Sequence, residues 1–480
     1  MAFLPVRRRC DRGHARASNG VNIHNYLFPA QTFAEVLVAV VSIVFRRRFR
    51  SRVSRTCGTG HGGTASPRIL RRGWSTKTTY LYVYAHAAGA AGRQGGTGNV
   101  ADKRVVVVGG GVAGLFTAWD LVRAGGVEVD VLEMSHPGDG SSGRSVGMVE
   151  TQYFEPADVA VRAYGREVYS ALVAEHELTF THGGYLRLGR TDADLERFRE
   201  SIETQRAVGI EDAVVLTPDE LAKRWGHLVV DDLSGGLFGA WDGYVDGYEV
   251  CQVLARLVRA AGGRVHTGTR LLGAERPDAW RLETTRGVFE ADVVVNAAGS
   301  WAGPVGELLG APVALTPQLH GAVTVELAHD VPFTPFIMDY IPGSGVEGVY
   351  FRSERADQLI AGLHTEEAIA PTVDPDVALG SLPMPEVERI IELLLPRLHN
   401  VDDMAIGRSW TGTYPMTSTL SPLTGPHPDQ PSVVYAAGGG GNGIQLGPAI
   451  ARHAADAILE RPAPFGEHAL AWQVTAGAAI

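Results

Sequence analysis

The chain of 480 residues is poor in cysteine, with only Cys10, Cys57 and Cys251. Beyond residue 100 only Cys251 remains, so that part of the chain can hold neither a disulfide framework nor a Cys-x-x-Cys metal site. Such sparing use fits a reducing compartment, and a cytoplasmic location is expected. Other absences narrow the chemistry. There is no His-Glu-x-x-His, no clustered His/Asp spacing and no P-loop. No metal is expected, and metalloprotease and P-loop phosphoryl chemistry lack their signature residues.

Acid is nearly absent from the first hundred residues. They carry 16 Lys and Arg against Asp11 and Glu35, a balance of +14, which leaves −24 of the net −10 on the remaining 380. The acidic body argues against nucleic acid as a partner. Three readings of residues 1–100 stay open, and disorder is expected in each. An Arg-rich, acid-poor start could be an organellar transit peptide, which would make the location organellar. The run Phe33–Phe45, followed by RRRFRSR, could be an anchor. However, it contains Glu35 and falls short of the ~20 apolar residues that a spanning helix needs, so no membrane partner is expected. The third reading is that the stretch lies outside the functional protein, with Val100 translated from a GUG start.

Beyond residue 103 the elements come in a definite order. Arg104–Val108 (RVVVV) reads as a buried parallel strand, and Gly109-Gly110-Gly111-Val112-Ala113-Gly114 supplies G-x-G-x-x-G. Leu115–Ala124 reads as a helix, and Val127–Glu133 as a second strand ending in an acid. Gly109 permits the tight turn, Gly111 lets backbone approach a pyrophosphate, and Gly114 lets helix and strand pack closely. Val112 and Ala113 begin the helix, whose free N–H groups and dipole favour phosphate. Glu133 is placed to accept hydrogen bonds from a ribose hydroxyl. A second match, Gly58–Gly63, has no strand before it and is rejected.

Three further segments point to FAD rather than NAD. Gly140–Met148 (GSSGRSVGM) offers Ser141, Ser142, Arg144 and Ser145 in a loop that can line a pyrophosphate and flavin ring; a flexible surface loop is the other reading. Ala291–Gly299 is an apolar strand ending in small residues, followed by Ser300 and Trp301. Ser432–Ala437 is a strand running into Gly438–Gly443, with Gly441, Asn442, Gly443 and Ile444 opening a helix to Leu459. That second helix N-terminus would stabilise the negative charge a flavin gains with a hydride. No second complete nucleotide unit is present for NADPH.

In this order GGGVAG, GSSGRSVGM, WDGYVDGYEVCQVLARLVRAAGGRV, ADVVVNAAGSWAGPVGELLG, the W-x-G-x-x-P-x-T of Trp410–Thr417 and AAGGGGNGIQLGPAIA resemble the D-amino-acid oxidase/sarcosine oxidase superfamily, over about residues 103–460. That group includes glycine oxidase, sarcosine oxidase and D-amino-acid dehydrogenase. The resemblance implies an α/β fold: a discontinuous Rossmann-like FAD-binding domain with an inserted α+β mixed-sheet substrate domain. The expected FAD parts are 103–180, 236–312 and 406–465, the substrate parts 181–235 and 313–405, and the tail 466–480. Thr419 stands where the family often has Asp. Ile360 stands where monomeric sarcosine oxidases carry a lysine that promotes reaction with oxygen. Relatives that attach flavin covalently use a late Cys or a His near the pyrophosphate loop, and non-covalent FAD is expected here.

The expected chemistry is hydride removal from the carbon beside an amine nitrogen, in a small amino acid or N-methyl amino acid, with electrons passing to oxygen or another acceptor. In relatives an Arg, helped by Tyr, clamps the substrate carboxylate, because the guanidinium fork matches it bidentately. Tyr350 and Arg352 alternate onto one face of the strand Gly348–Arg352, though they also read as a solvent-facing pair. Gln152, Tyr153 and His320 are the other candidates, each with a structural reading beside the catalytic one. Trp301 and Trp410 read as packing against the cofactor. Asp242 and Asp246 read as turns that start the helix Tyr248–Ala261. Two alternatives stay open: oxidation of a hydroxy acid or polyol phosphate, and a flavin-binding assembly factor without turnover.

Overall fold

Four valines in succession, Val105 to Val108, are all buried, because their strand lies inside a sheet covered on both faces. This computed structural model describes residues 103–340, 347–364, 372–399, 403–462 and 465. The readings placed on residues 1–100 and 466–480 fall outside the described residues. The sheet has six strands in the order 423–426, 433–437, 293–296, 103–108, 127–132, 264–266. Five run parallel, and the edge strand 423–426 runs antiparallel to its neighbour.

The period of two along the first strand assigns its valines to different layers. Val105 and Val107 face the helices Val112–Ala124, Gly247–Ala260 and Gly443–Ile458, packing with Leu115, Leu254 and Ile450. Val106 and Val108 face the other way, toward a three-stranded antiparallel sheet and the short helix Ala302–Leu308, packing with Trp280, Leu282 and Val305. Asp246 caps the middle helix by accepting from the Tyr248 and Glu249 N–H groups, as its sequence position suggested.

A second, eight-stranded sheet is ordered 405–416, 316–326, 358–364, 348–355, 336–339, 185–189, 235–239, 213–216. All its pairs are antiparallel except 336–339 with 185–189. Val349 and Phe351 point into an apolar core backed by the helix Met384–Leu394. Between them in sequence, Tyr350 points to the opposite face and packs with Tyr185, Phe336, Met338 and Tyr340. That aromatic face looks toward the six-stranded sheet, since Val146 and Met148 of its loop pack against it. The sheet keeps 235–239 and 405–416 as whole strands, so the expected boundaries at 235/236 and 405/406 cut through or exclude strands that belong to it.

Two tightly constrained positions lie where the first strand passes into its helix. Gly109 adopts φ +115°, and a Cβ there would lie 2.3 Å from the Ala297 carbonyl oxygen. A Cβ on Gly114 would lie 2.1 Å from the Gly109 carbonyl oxygen. Both obstacles are backbone, so neither can rotate away. Gly114→Ala is expected to cost about 1–3 kcal/mol of stability, the usual penalty for overpacking. Chemical denaturation of the flavin-free protein measures it, and an unchanged midpoint would show that the helix shifts freely.

Candidate functional site

A cavity of about 500 Å³ opens along the carboxyl ends of the parallel strands, touching Val108, Leu132, Ala297 and Ala437. In open parallel sheets this is where ligands bind. Its floor is the glycine turn. Gly109, Gly111, Val112 and Ala113 line it, whereas Gly114 sits one layer below, against Gly109 and Ala297. Glu133 lines it too. One Glu133 carboxylate oxygen accepts from the Gly110 N–H and the other from the Ser135 N–H, each at 2.8 Å. Burial raises its pKa. Each oxygen has a second lone pair, so the fixed carboxylate can still accept from a ribose hydroxyl.

The loop after the second strand forms one wall. Ser141, Ser142, Arg144 and Ser145 all line the cavity. Ser142 Oγ accepts from the Val112 N–H at 3.0 Å, taking one of the helix's free donors. Ser141 donates to the Thr413 carbonyl at 2.5 Å, and the Trp410 indole donates to the Arg144 carbonyl at 2.8 Å. These bonds tie the loop to the long strand of the second sheet. Gly299 and Trp301 line the cavity, as do Gly441, Gly443 and Ile444, but Asn442 does not. Neither N-cap residue, Gly111 or Asn442, caps its own helix with its side chain. Two positive dipole ends therefore face the same space.

Of the five candidate substrate residues, the structure brings two to the cavity: His320 and Tyr350. His320 stacks on Tyr414 with ring centroids 3.9 Å apart, and its Nε2 is buried without a hydrogen-bond partner. Burial pulls its pKa down to about 4, so the ring is uncharged at neutral pH. Tyr414, not singled out by the sequence, alternates with Trp410 and Gly412 along one cavity-lining strand; that period was the available signal.

Arg352 is not on the wall. It shares a strand face with Tyr350, but its guanidinium lies 3.5 Å over the Tyr244 ring. It pairs with Glu354 at 2.6 Å and donates to the Val146 carbonyl at 3.3 Å. Of the two arginines on the wall, Arg270 is paired with Asp376, whereas Arg144 has no carboxylate partner among the described residues. Gln152 and Tyr153 are also elsewhere. Gln152 donates to Asp242 at 2.7 Å and accepts from Gln205 at 3.1 Å, and Tyr153 lies under the Arg162 guanidinium at 3.5 Å. They belong to a buried polar cluster with Glu150 and Asp242. Asp242 is thus more than a turn residue. Ile360 is buried opposite Arg352, and Thr419 makes hydrogen bonds within its own turn; neither lines the cavity.

The residues suit a flavin dinucleotide: a glycine floor, a fixed acid at the nucleotide end and two helix N-termini facing the cavity. The comparisons agree. Residues 104–457 match the family described as "DAO: FAD dependent oxidoreductase". The chain belongs to this family. FAD is accordingly its cofactor. The chain is 25% identical to human mitochondrial dimethylglycine dehydrogenase over 75% of its own length and 43% of that protein. It thus spans less than half of that relative. It is 25% identical to glycine oxidase of Geobacillus kaustophilus over 75% of its length and 94% of that protein. Its fold matches the crystal structure of L-proline dehydrogenase from P. horikoshii at TM-score 0.68 and 22% identity, covering 78% of this chain and 99% of that one. Among the described residues no helix is long and apolar enough to cross a membrane.

The buried cluster has a consequence for stability. Burial first, then the nearby Glu150 charge, pushes Asp242 up to about 8. An unfolded Asp releases its proton near pH 4. The folded state therefore binds the extra proton between about pH 4 and 8, and stability falls as pH rises through that window. Asp242→Asn, which carries no titrating proton, is expected to flatten this fall. Denaturation midpoints at pH 5 and 8 check it; a slope equal to wild type would contradict the protonated assignment.

Proposed function

We propose that this protein oxidises the C–N bond of a small amino acid or N-methyl amino acid. The bound flavin supplies the hydride acceptor, N5. The observation that carries the reading is the uncharged His320 on the cavity wall, stacked on Tyr414. A neutral imidazole accepts from an ammonium or amine N–H through its unprotonated nitrogen. Being neutral, it does not repel a cationic substrate. Tyr350 and Tyr414 confine the amine's substituents beside it, which converts binding into orientation.

The carboxylate needs a positive partner. Arg352 is committed to Glu354 and to the Val146 carbonyl. Arg144 has no ion-pair partner among the described residues and lies over Gly412, which pairs with His320 in the sheet. We assign the carboxylate to Arg144, a residue the sequence placed with the cofactor loop. The two named relatives support an amine substrate as a class, since dimethylglycine and glycine are both amino acids. The cavity wall carries no lysine and no cysteine among the described residues, which favours FAD held non-covalently and an electron acceptor other than oxygen.

The test is an anaerobic titration of the holoprotein with sarcosine, dimethylglycine, glycine, proline and D-amino acids in turn. One of them is expected to bleach the flavin band, and air is expected to restore it slowly. A bound flavin that none bleaches would contradict the amine reading and favour a hydroxy acid, a polyol phosphate or a protein without turnover. His320→Ala is expected to lower kcat/KM about 10- to 100-fold, the cost of one hydrogen bond to a charged group. Arg144→Gln is expected to raise KM by a similar factor, measured by steady-state kinetics with the substrate that bleaches.

A further inference from the structure

We infer that segment 372–380, which belongs to the substrate-side sheet, is a clasp that retains FAD, fastened by Asp376 to Arg270 and Trp301. The inference rests on FAD filling the cavity and is independent of which substrate is oxidised.

Both ends of the segment are sewn to the second sheet. Thr372 bridges Gln318, and the Val373 N–H donates to the Pro317 carbonyl at 2.9 Å. At the other end Gly380 and Thr411 exchange hydrogen bonds at 2.8 and 3.0 Å. These attachments sit on the strands that carry His320 and Tyr414. Between them, Pro375, Asp376, Val377 and Leu379 line the cofactor cavity. The segment therefore spans the cleft from the substrate wall to the opposite side.

Asp376 makes the fastening. Its own N–H donates to the Asp374 carboxylate at 2.7 Å, and the Val377 N–H to the Asp374 carbonyl at 3.0 Å, so a tight turn presents the side chain. One carboxylate oxygen accepts from the Trp301 indole at 2.8 Å and the other from Arg270 at 2.8 Å. Both donors belong to the cofactor side. Trp301 follows the strand that ends at Asn296, and Arg270 adjoins Thr269, whose N–H donates to the Glu133 carbonyl. A dinucleotide lying on the glycine floor would be enclosed between that floor and this span. Leaving would require both bonds to break or the ligand to thread beneath them. Asp376 and Arg270 are about half exposed, so salt should weaken the ion pair. The indole bond is not an ion pair and should respond less.

The experiment follows FAD release from the holoprotein on dilution, by recovery of flavin fluorescence, at low and high sodium chloride. Asp376→Ala is expected to speed release about tenfold at low salt, the combined effect of a charge-assisted bond and a hydrogen bond. Asp376→Asn and Trp301→Phe, which each keep part of the contact, should give smaller increases. Salt should speed wild-type release more than release from Asp376→Ala. Glu290→Ala removes an exposed ion pair with Arg104, which starts the first parallel strand at the end away from the cavity, and should leave release unchanged. Release from Asp376→Ala within twofold of wild type, with an unchanged melting temperature, would overturn the clasp. So would equal acceleration by Glu290→Ala, since that would mark general loosening. Either result would leave amine oxidation untouched, because flavin bleaching reads that separately.

Discussion

Backbone meets backbone where the first strand turns into its helix, and the rest of the site depends on that contact. Gly109 lies against the Ala297 carbonyl, and Gly114 against the Gly109 carbonyl. Side chains at either place would push the helix away from the sheet. Held close, the helix aims its N-terminus along the strand ends, and Gly110 comes within reach of Glu133. The acid is thereby fixed before any nucleotide arrives. A second glycine-rich turn, Gly438 to Gly443, brings another helix N-terminus to the same cavity. Two dipole ends pointing into one cleft make it a place for a molecule with phosphates at one part and developing negative charge at another.

The second sheet supplies what the first cannot. Its face toward the cleft is aromatic, and the neutral His320 is stacked flat within it. Charges that would disturb this face are committed elsewhere: Arg352 to Glu354 and the Tyr244 ring, Arg162 to Glu150 and the Tyr153 ring. The lobes are joined through the strand 405–416, whose Trp410 and Thr413 bond to the serine-rich loop. Substrate wall and cofactor wall therefore share one element, so movement of either is felt by the other.

Much of the cofactor side was legible because its logic is local. A short apolar run, three glycines, a helix and an acid succeed one another within about thirty residues, and each leaves its own mark. Tyr350 was legible through the strand's period of two. Arg352 shares that face, but its partners Val146 and Tyr244 come from distant loops that no spacing reveals. Gln152 and Tyr153 come soon after the cofactor loop in sequence yet turn into a buried cluster around Asp242. The pairing of Arg270 with Asp376 spans 106 positions and has no local signature. The expected domain edges at 235/236 and 405/406 failed for a similar reason: strand pairing there is set by partners far away in the chain.

The central claim is that two glycine-lined turns and Glu133 hold one FAD per chain without a covalent bond. Acid precipitation of the purified protein, with chromatography of the supernatant, tests it most directly. The predicted result is close to one equivalent of FAD in solution and a colourless pellet. Flavin retained in the pellet would contradict the non-covalent attachment, and the absence of flavin from protein purified in its presence would contradict the site itself.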